Sequence, residues 1–155
     1  MFRLLLVASF VIFLWIPKPL YSEENIVFEK LLKQGMENLK LYKYKKAIDY
    51  FRRAISVDPK NGDGYFQLAF GLHQLNKFEE ALGAYKSGLK LKPDYSYAAE
   101  AYFNMTVAAD RLGYGEEAIQ YLKKSLQAYT ERSDYGAVFK IGEFLKNLSD
   151  KYPDK

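Results

Sequence analysis

Cysteine is absent from this chain of 155 residues, and histidine occurs once, at His73. Without cysteine the chain has no disulfide, no zinc–thiolate site and no thiol nucleophile. His73 has no acid pair, phosphate-binding glycine loop or metal-ligand spacing around it, so no nucleophile–base pair can be assembled. We therefore expect a protein that is not an enzyme and that holds no cofactor and no metal.

A strong charge of either sign is also lacking. The chain has 23 basic residues (Lys and Arg) and 19 acidic residues, and its formal net charge is +4. The lysines are interleaved with acids along the chain, which argues against nucleic acid as a partner. Hydrophobic residues make up 49% of the chain, enough apolar surface to favour a folded protein over a disordered one.

Long hydrophobic runs are scarce, and the main one lies near the N-terminus, from Leu4 to Ile16. As a helix, these 13 residues are too short to cross a bilayer core of about 30 Å. Arg3 precedes the run and Pro17 ends it, as is typical of a signal peptide. We expect residues 1–22 to be a cleaved signal peptide, with an uncleaved anchor or a buried helix as alternatives. The mature chain, residues 23–155, is then exported, to a bacterial periplasm or cell envelope.

The rest of the chain repeats a spacing with few shared letters. Equivalent positions lie 34 residues apart in the first two copies: Ala47 and Ala81, Phe51 and Tyr85, Ala54 and Gly88, and Pro59 and Pro93. A third copy has Ala118, Leu122 and Ser125 at equivalent positions. Ala118 lies 37 residues after Ala81, so three extra residues lie between the second and third copies, near positions 94–98. Such conserved spacing indicates packing, because small residues let helices approach and aromatic residues fill the space beside them.

Each copy has an upstream half with residues in steps of three and four, which lie on one helical face. These residues are Leu31, Gly35 and Asn38 in the first copy, Tyr65, Leu68, Ala69 and Leu72 in the second, and Tyr102, Met105, Thr106 and Ala109 in the third. The unit is therefore a pair of helices, and a proline ends the second helix in the first two copies.

This pattern resembles the tetratricopeptide repeat, a helix–turn–helix unit of 34 residues. The second copy carries the best match, and the third departs from the pattern at Gly115, Leu122 and Thr130. The resemblance implies an all-α solenoid with three repeats, at about residues 28–61, 62–95 and 99–132. A last helix at about residues 134–150 is expected to cover the end of the array, because a solenoid must cover its last apolar face.

The resemblance also implies a concave groove, lined by the first helices, that takes extended peptides or helices. The residues expected to face or border it are Leu32, Met36, Phe66, Phe70, His73, Phe103, Asn104 and Val107. An exposed apolar stripe of this kind usually marks an interaction site. The alternative is that its aromatic residues pack against the neighbouring repeat and belong to the core.

The sequence argues against one mode of binding that is known in the family it resembles. Relatives that bind chaperone tails clamp a carboxylate with lysine, asparagine and arginine, but here the corresponding places hold Leu32, Met36, Gln67, Glu100 and Asn104. We therefore expect a non-catalytic scaffold or adaptor that binds some other protein or peptide, with Phe66 and Phe70 as its first hot spots. Membrane association is expected through the N-terminal segment only. The alternatives are a self-associating component of an envelope assembly and an accessory subunit of an envelope enzyme.

Overall fold

A computed structural model of the chain describes residues 23–94 and 96–153. Within these ranges the backbone forms seven helices and no strand. The helices are α1 (Glu23–Lys40), α2 (Tyr44–Val57), α3 (Gly62–Gln74), α4 (Phe78–Leu91), α5 (Ala98–Arg111), α6 (Gly115–Glu131) and α7 (Tyr135–Lys151). The predicted all-α fold is confirmed. The predicted signal peptide, residues 1–22, lies outside the described residues and stays a prediction.

Small residues hold the helices of each pair at close range. Ala47, Ala81 and Ala118, the second-helix alanines that set the repeat spacing, are completely buried. In the first pair, a Cβ atom added at Gly35 would lie 2.3 Å from the ring of Phe51. No side chain fits there, because the aromatic ring already fills the space above the glycine.

The helix pairs stack into one curved array. Helix α1 packs directly on α3, and α3 packs on α5. Among the described residues, α2 makes no comparable contact with α4, nor α4 with α6. The first helices therefore lie closer together than the second helices. This difference places α1, α3 and α5 on the inner, concave side of the array.

Four turns between helices close in the same way. The second residue beyond the helix end has a positive φ in each: Tyr42, Asn76, Gly113 and Ser133. The next backbone N–H then donates to a carbonyl five residues earlier, for example from Lys43 to Asn38 at 2.9 Å. This Schellman closure satisfies carbonyls that the helix end would leave unpaired.

Helix α7 follows the third pair and packs on α6. It begins at a capping residue, because the Asp134 carboxylate accepts a hydrogen bond of 3.0 Å from the Ala137 backbone N–H. Ile141 and Leu148 of α7 are buried in a cluster with Ala118 and Leu122 of α6. No helix in the described part of the chain is long and apolar enough to cross a membrane.

Candidate functional site

The concave side holds a hollow of about 470 Å³ between the first helices, called here the first hollow. Its residues come from all three repeats: Met36, Phe66, Gln67, Phe70, Tyr85, Tyr97, Glu100, Ala101 and Asn104. Apolar side chains dominate this lining. A few polar groups stand among them, as is typical of sites that bind ligands.

A second hollow, of about 430 Å³, lies toward the C-terminal ends of α1 and α3. Its lining is Met36, Leu39, Lys40, Tyr42, Tyr44, Phe70 and Gln74. Met36 and Phe70 belong to both hollows, so the two form one continuous surface, called here the groove. These two side chains are 38% and 39% exposed, a large fraction for such apolar groups.

Four of the eight predicted groove residues line the groove: Met36, Phe66, Phe70 and Asn104. Phe66, however, is only 3% exposed and lies in the core cluster between the second and third repeats. Met36 and Phe70 therefore present most of the apolar side-chain surface that the prediction assigned to the groove.

The other four predicted residues line neither hollow. Leu32 is buried in the core of the first repeat. The centroids of the Phe103 ring and the Phe144 ring of α7 lie 6.0 Å apart, and both rings pack on the apolar cluster that α7 forms with α6. Val107 is half-buried. The core alternative therefore describes the surroundings of Leu32 and Phe103 better than the groove does.

His73, the fourth of these, is half-buried near the end of α3. Its ring meets the Phe78 ring edge-on, with 5.4 Å between the centroids. Its Nδ1 atom is buried and has no hydrogen-bond partner among the described residues. Burial lowers the pKa of His73, because the charged ring would lose hydration that no neighbour replaces.

The polar groups of the first hollow are held by their neighbours. The Asn104 amide donates to the Tyr85 hydroxyl at 3.1 Å. Glu100 forms an ion pair of 3.0 Å with Arg132. Four of the five places that correspond to the carboxylate clamp surround this hollow, and they hold Met36, Gln67, Glu100 and Asn104. An ionised carboxylate such as Glu100 can only accept hydrogen bonds, so it offers no donor to a bound carboxylate.

Several groove residues were missed by the sequence analysis. Tyr85 was assigned only to packing between helices, yet its buried side chain also forms part of the floor of the first hollow. Tyr97 lies in the extra residues before the third repeat, and the 37-residue spacing there is the signal that could have drawn attention to it. Tyr42 and Tyr44 follow the first helix, and the repeat pattern assigns them no place in the groove.

The described residues include no cluster of three metal-ligating side chains of the histidine, aspartate or glutamate type. The groove offers apolar surface and hydrogen-bonding groups. Such a surface is suited to binding another molecule through apolar contacts and hydrogen bonds.

Comparison with known proteins identifies the repeats. Two models of the tetratricopeptide repeat match the chain, over residues 31–102 and residues 99–131, and together they cover more than half of it. Among curated proteins, the peroxisomal targeting signal receptor of Saccharomyces cerevisiae is 33% identical over 107 residues, which are 69% of this chain and 17% of the receptor. The Protein STIP1 homolog of Dictyostelium discoideum is 39% identical over 75 residues, 48% of this chain and 13% of that protein. The chain thus spans less than a fifth of the length of these relatives.

Solved structures show the same fold. The TPR2B domain of yeast Sti1, solved as a pHsp70 complex, superposes with a TM-score of 0.71 at 18% sequence identity. The match covers 81% of this chain and 98% of that domain. At this level of identity the similarity shows the fold alone.

The relatives correct the predicted location. They are eukaryotic proteins, including the peroxisomal targeting signal receptors of Saccharomyces cerevisiae and Kluyveromyces lactis. The predicted location in a bacterial periplasm or cell envelope is therefore wrong. The prediction of the location depended on residues 1–22 alone. The repeats carry no signal for location, because their helices pack in the same way in every cellular compartment.

The repeat spacing, the stacked helix pairs and the two matching repeat models lead to one conclusion. The chain belongs to the tetratricopeptide-repeat family.

Proposed function

We propose that this chain is a non-catalytic adaptor that holds a peptide or an extended segment of a partner protein in the groove. Proteins of this family and fold are generally protein-interaction modules. The relatives named above as receptors of a targeting signal, and the domain solved as a pHsp70 complex, support a partner of this class.

One observation carries the proposal: Met36 and Phe70 are shared by two adjoining hollows and stay exposed on the concave side. Large apolar side chains are rarely left exposed side by side on a folded protein without a role in binding. Each hollow is large enough for an apolar side chain of a bound segment. The groove would therefore take a segment with two apolar anchors.

The partner is not expected to be held by a terminal carboxylate. Glu100 and Met36 occupy two of the places that correspond to the carboxylate clamp, so a bound carboxylate would meet one group that can only accept hydrogen bonds and one apolar group. Gln67 and Asn104, which line the first hollow, would hydrogen-bond the backbone of a bound segment. The apolar anchors would supply most of the affinity.

The test is a selection of displayed random peptides against the full chain, followed by fluorescence anisotropy on the selected peptides. Met36→Ala with Phe70→Ala should weaken binding by roughly tenfold or more, because truncating a few central apolar residues removes most of the affinity at such sites. Phe66 is left intact. Truncating such a buried ring costs about 3–5 kcal/mol of folding stability and would confuse the result.

Val27→Ala with Leu91→Ala is the matched control. These two side chains are exposed to a similar extent but line neither hollow. The control variant should bind as the wild type does, and both variants should keep the helical circular dichroism signal. If the Met36 and Phe70 variant binds selected peptides with unchanged affinity while folded, the groove is not the binding site.

A further inference from the structure

The turn between α1 and α2 departs from the pattern of the other turns. Its residue with positive φ is Tyr42, at 56°, whereas the equivalent places hold Asn76, Gly113 and Ser133. Glycine and asparagine adopt this conformation readily, but a bulky side chain does so rarely. Backbone outliers of this kind are concentrated at functional sites. A tyrosine in this conformation therefore indicates a function besides closing the turn.

The charge at the start of α2 is also reversed. The residues one and two places before the close-packed alanine are Lys45 and Lys46 in the first repeat, but Glu79 and Glu80 in the second and Glu116 and Glu117 in the third. Acids are favoured in the first helical turn, because they complement the positive end of the helix dipole. Helix α2 has no acid there and no side-chain cap. Its N-terminus is left strongly positive.

Four lysines around this turn are exposed: Lys40, Lys43, Lys45 and Lys46. None of them forms an ion pair within the described ranges. Asp49, the acid of α2, interacts instead with Arg53 at 3.9 Å. The lysines are interleaved with acids over the chain as a whole, but here they form a patch with no acid among them.

Apolar surface accompanies these charges and connects them to the groove. Leu41 and Tyr42 are 61% and 78% exposed. Lys40, Tyr42 and Tyr44 line the second hollow, and the two tyrosines also line a third hollow of about 450 Å³. The rest of that third hollow is Lys43, Lys45, Lys46 and Leu75. The apolar groove thus continues into a basic hollow.

We propose that the α1–α2 turn binds an acidic segment of the partner protein, next to the apolar residues that occupy the groove. This inference rests on the proposed function and adds the partner's chemistry and orientation. The acidic segment would lie toward Lys45 and Lys46, away from the carboxylate of Glu100. The lysines and the uncapped N-terminus of α2 attract anions together. The turn lies apart from the five clamp places discussed above.

A protein partner fits better than a membrane or a nucleic acid. The lysine patch adjoins hollows of side-chain size, which a lipid headgroup or a phosphate backbone would not need. The chain has a net charge of only +4, without the wide basic face that nucleic-acid binding favours. The apolar and basic surfaces together match a segment that has apolar anchors and an acidic flank.

The test uses two synthetic peptides and fluorescence anisotropy with the full chain. One peptide carries two phenylalanines followed by a run of glutamates, and its twin has glutamine in place of glutamate. The glutamate peptide should bind roughly tenfold tighter at low salt, as a few exposed ion pairs allow. The preference should shrink as salt rises, because salt screens exposed charges.

Lys45→Glu with Lys46→Glu should abolish this preference. The substitutions copy the acids of the other two repeats, so the fold has no reason to fail, and the melting temperature should stay level or rise. Lys123→Glu with Lys124→Glu is the matched control, since it makes the same charge change at an exposed pair on α6. That control should keep the preference for glutamate.

The groove variant separates this inference from the proposed function. Met36→Ala with Phe70→Ala should weaken both peptides alike and leave the glutamate preference intact. If both peptides bind the wild type equally, or if the Lys45 and Lys46 variant keeps the preference, the proposed binding of an acidic segment is wrong. The proposed function of the groove is not affected by that result. If instead the preference depends on the lysines but the groove variant binds normally, the proposed function fails and the acidic site survives.

Other anions are tested in the same assay. Vesicles containing phosphatidylserine and a single-stranded oligonucleotide should bind more weakly than the glutamate peptide. If the vesicles or the oligonucleotide bind more tightly than the glutamate peptide, and the Lys45 and Lys46 variant loses that binding, the proposal of a protein partner is wrong. The partner would then be a membrane or a nucleic acid. Failure of the glutamate peptide to bind the wild type at all would also overturn the inference.

Discussion

At the scale of single residues, the repeat pattern assigns one helical face to the groove, but it carries no information on how deep each side chain lies. Phe66 and Phe70 are four residues apart and share a face. Phe66 is buried because its ring packs over Gly88 of α4, where an added Cβ would lie 3.0 Å from the ring. Phe70 remains exposed, and only the packed structure distinguishes these two positions, because periodicity carries no information on the facing helix.

His73 makes stability depend on pH, and we expect the dependence to be measurable because the chain has no other histidine. Burial lowers its pKa in the folded state, so near neutral pH the unfolded state takes up the proton first. Stability should therefore fall as the pH drops through the ordinary histidine value of about 6.5, and level off below the folded pKa. Thermal melts between pH 7.5 and 5.5 would record this loss.

The matching variants move or remove the titrating group. His73→Gln should show a smaller loss of melting temperature over that pH interval. His73→Gln with Gln74→His moves the histidine one place to an exposed position, and it should behave like His73→Gln alone. An equal loss in wild type and His73→Gln would show that burial of this ring does not control the pH dependence.

At the scale of helices, the third repeat departs from the pattern, and the structure explains the departure. Gly115 occupies the place where the first two repeats have Tyr44 and Phe78. The Tyr152 ring, just beyond α7, covers this glycine, and an added Cβ would lie only 2.2 Å from it. The sequence showed that an aromatic residue was missing. It could not show that Tyr152, an aromatic residue 37 positions later in the chain, fills the space above Gly115, because the repeat spacing describes only local contacts.

Further contacts fix Tyr152 in this place. Its hydroxyl donates to the Asp110 carboxylate at 3.0 Å, and Lys151 pairs with the same carboxylate at 2.7 Å. Burial would raise the pKa of Asp110, but the hydrogen bonds from Lys151 and Tyr152 outweigh it and lower the pKa. The end of α7 is thereby joined to α5 as well as to α6.

We expect Gly115→Ala to destabilise the chain by about 1–3 kcal/mol, because the new methyl group displaces the Tyr152 ring. Tyr152→Ala should also destabilise it. The double variant should be no less stable than Tyr152→Ala alone, since the clash is gone once the ring is absent. Urea unfolding of the four proteins measures this coupling.

Gly83→Ala is the control for helix propensity. A Cβ added at Gly83 meets nothing within 4 Å, so alanine should be neutral or stabilising by up to about 1 kcal/mol. Additive effects of Gly115→Ala and Tyr152→Ala would contradict the contact between the two residues.

At the scale of the whole molecule, the repeat spacing was enough to predict the fold. Spacing in a solenoid reflects contacts between neighbouring repeats, and these local contacts determine most of the architecture. Location could not be predicted in the same way, and that prediction was wrong. The turn lysines were overlooked for a related reason: composition averages charge over the chain, whereas a binding surface depends on charge at one place.

The last helix offers a test of the array as a unit. Removing residues 134–155 would delete α7 and expose the apolar surface of α6 that Ile141 and Leu148 cover. Two buried aliphatic side chains contribute about 1.5–3 kcal/mol each, so the loss should be at least about 3 kcal/mol. For a chain of this size the melting temperature should fall by on the order of 10 °C.

The shortened chain should also self-associate, because its exposed end is apolar and solenoid ends need a polar cover. Sedimentation velocity over a range of concentrations would detect this as an increase in mass with concentration. The full chain, with α7 in place, is the comparison at each concentration. Equal association of both proteins would mean that α7 does not cover the end of the array, and would favour a self-associating component over an adaptor. A shortened chain that stays as stable as the full one would mean that three repeats close their own core.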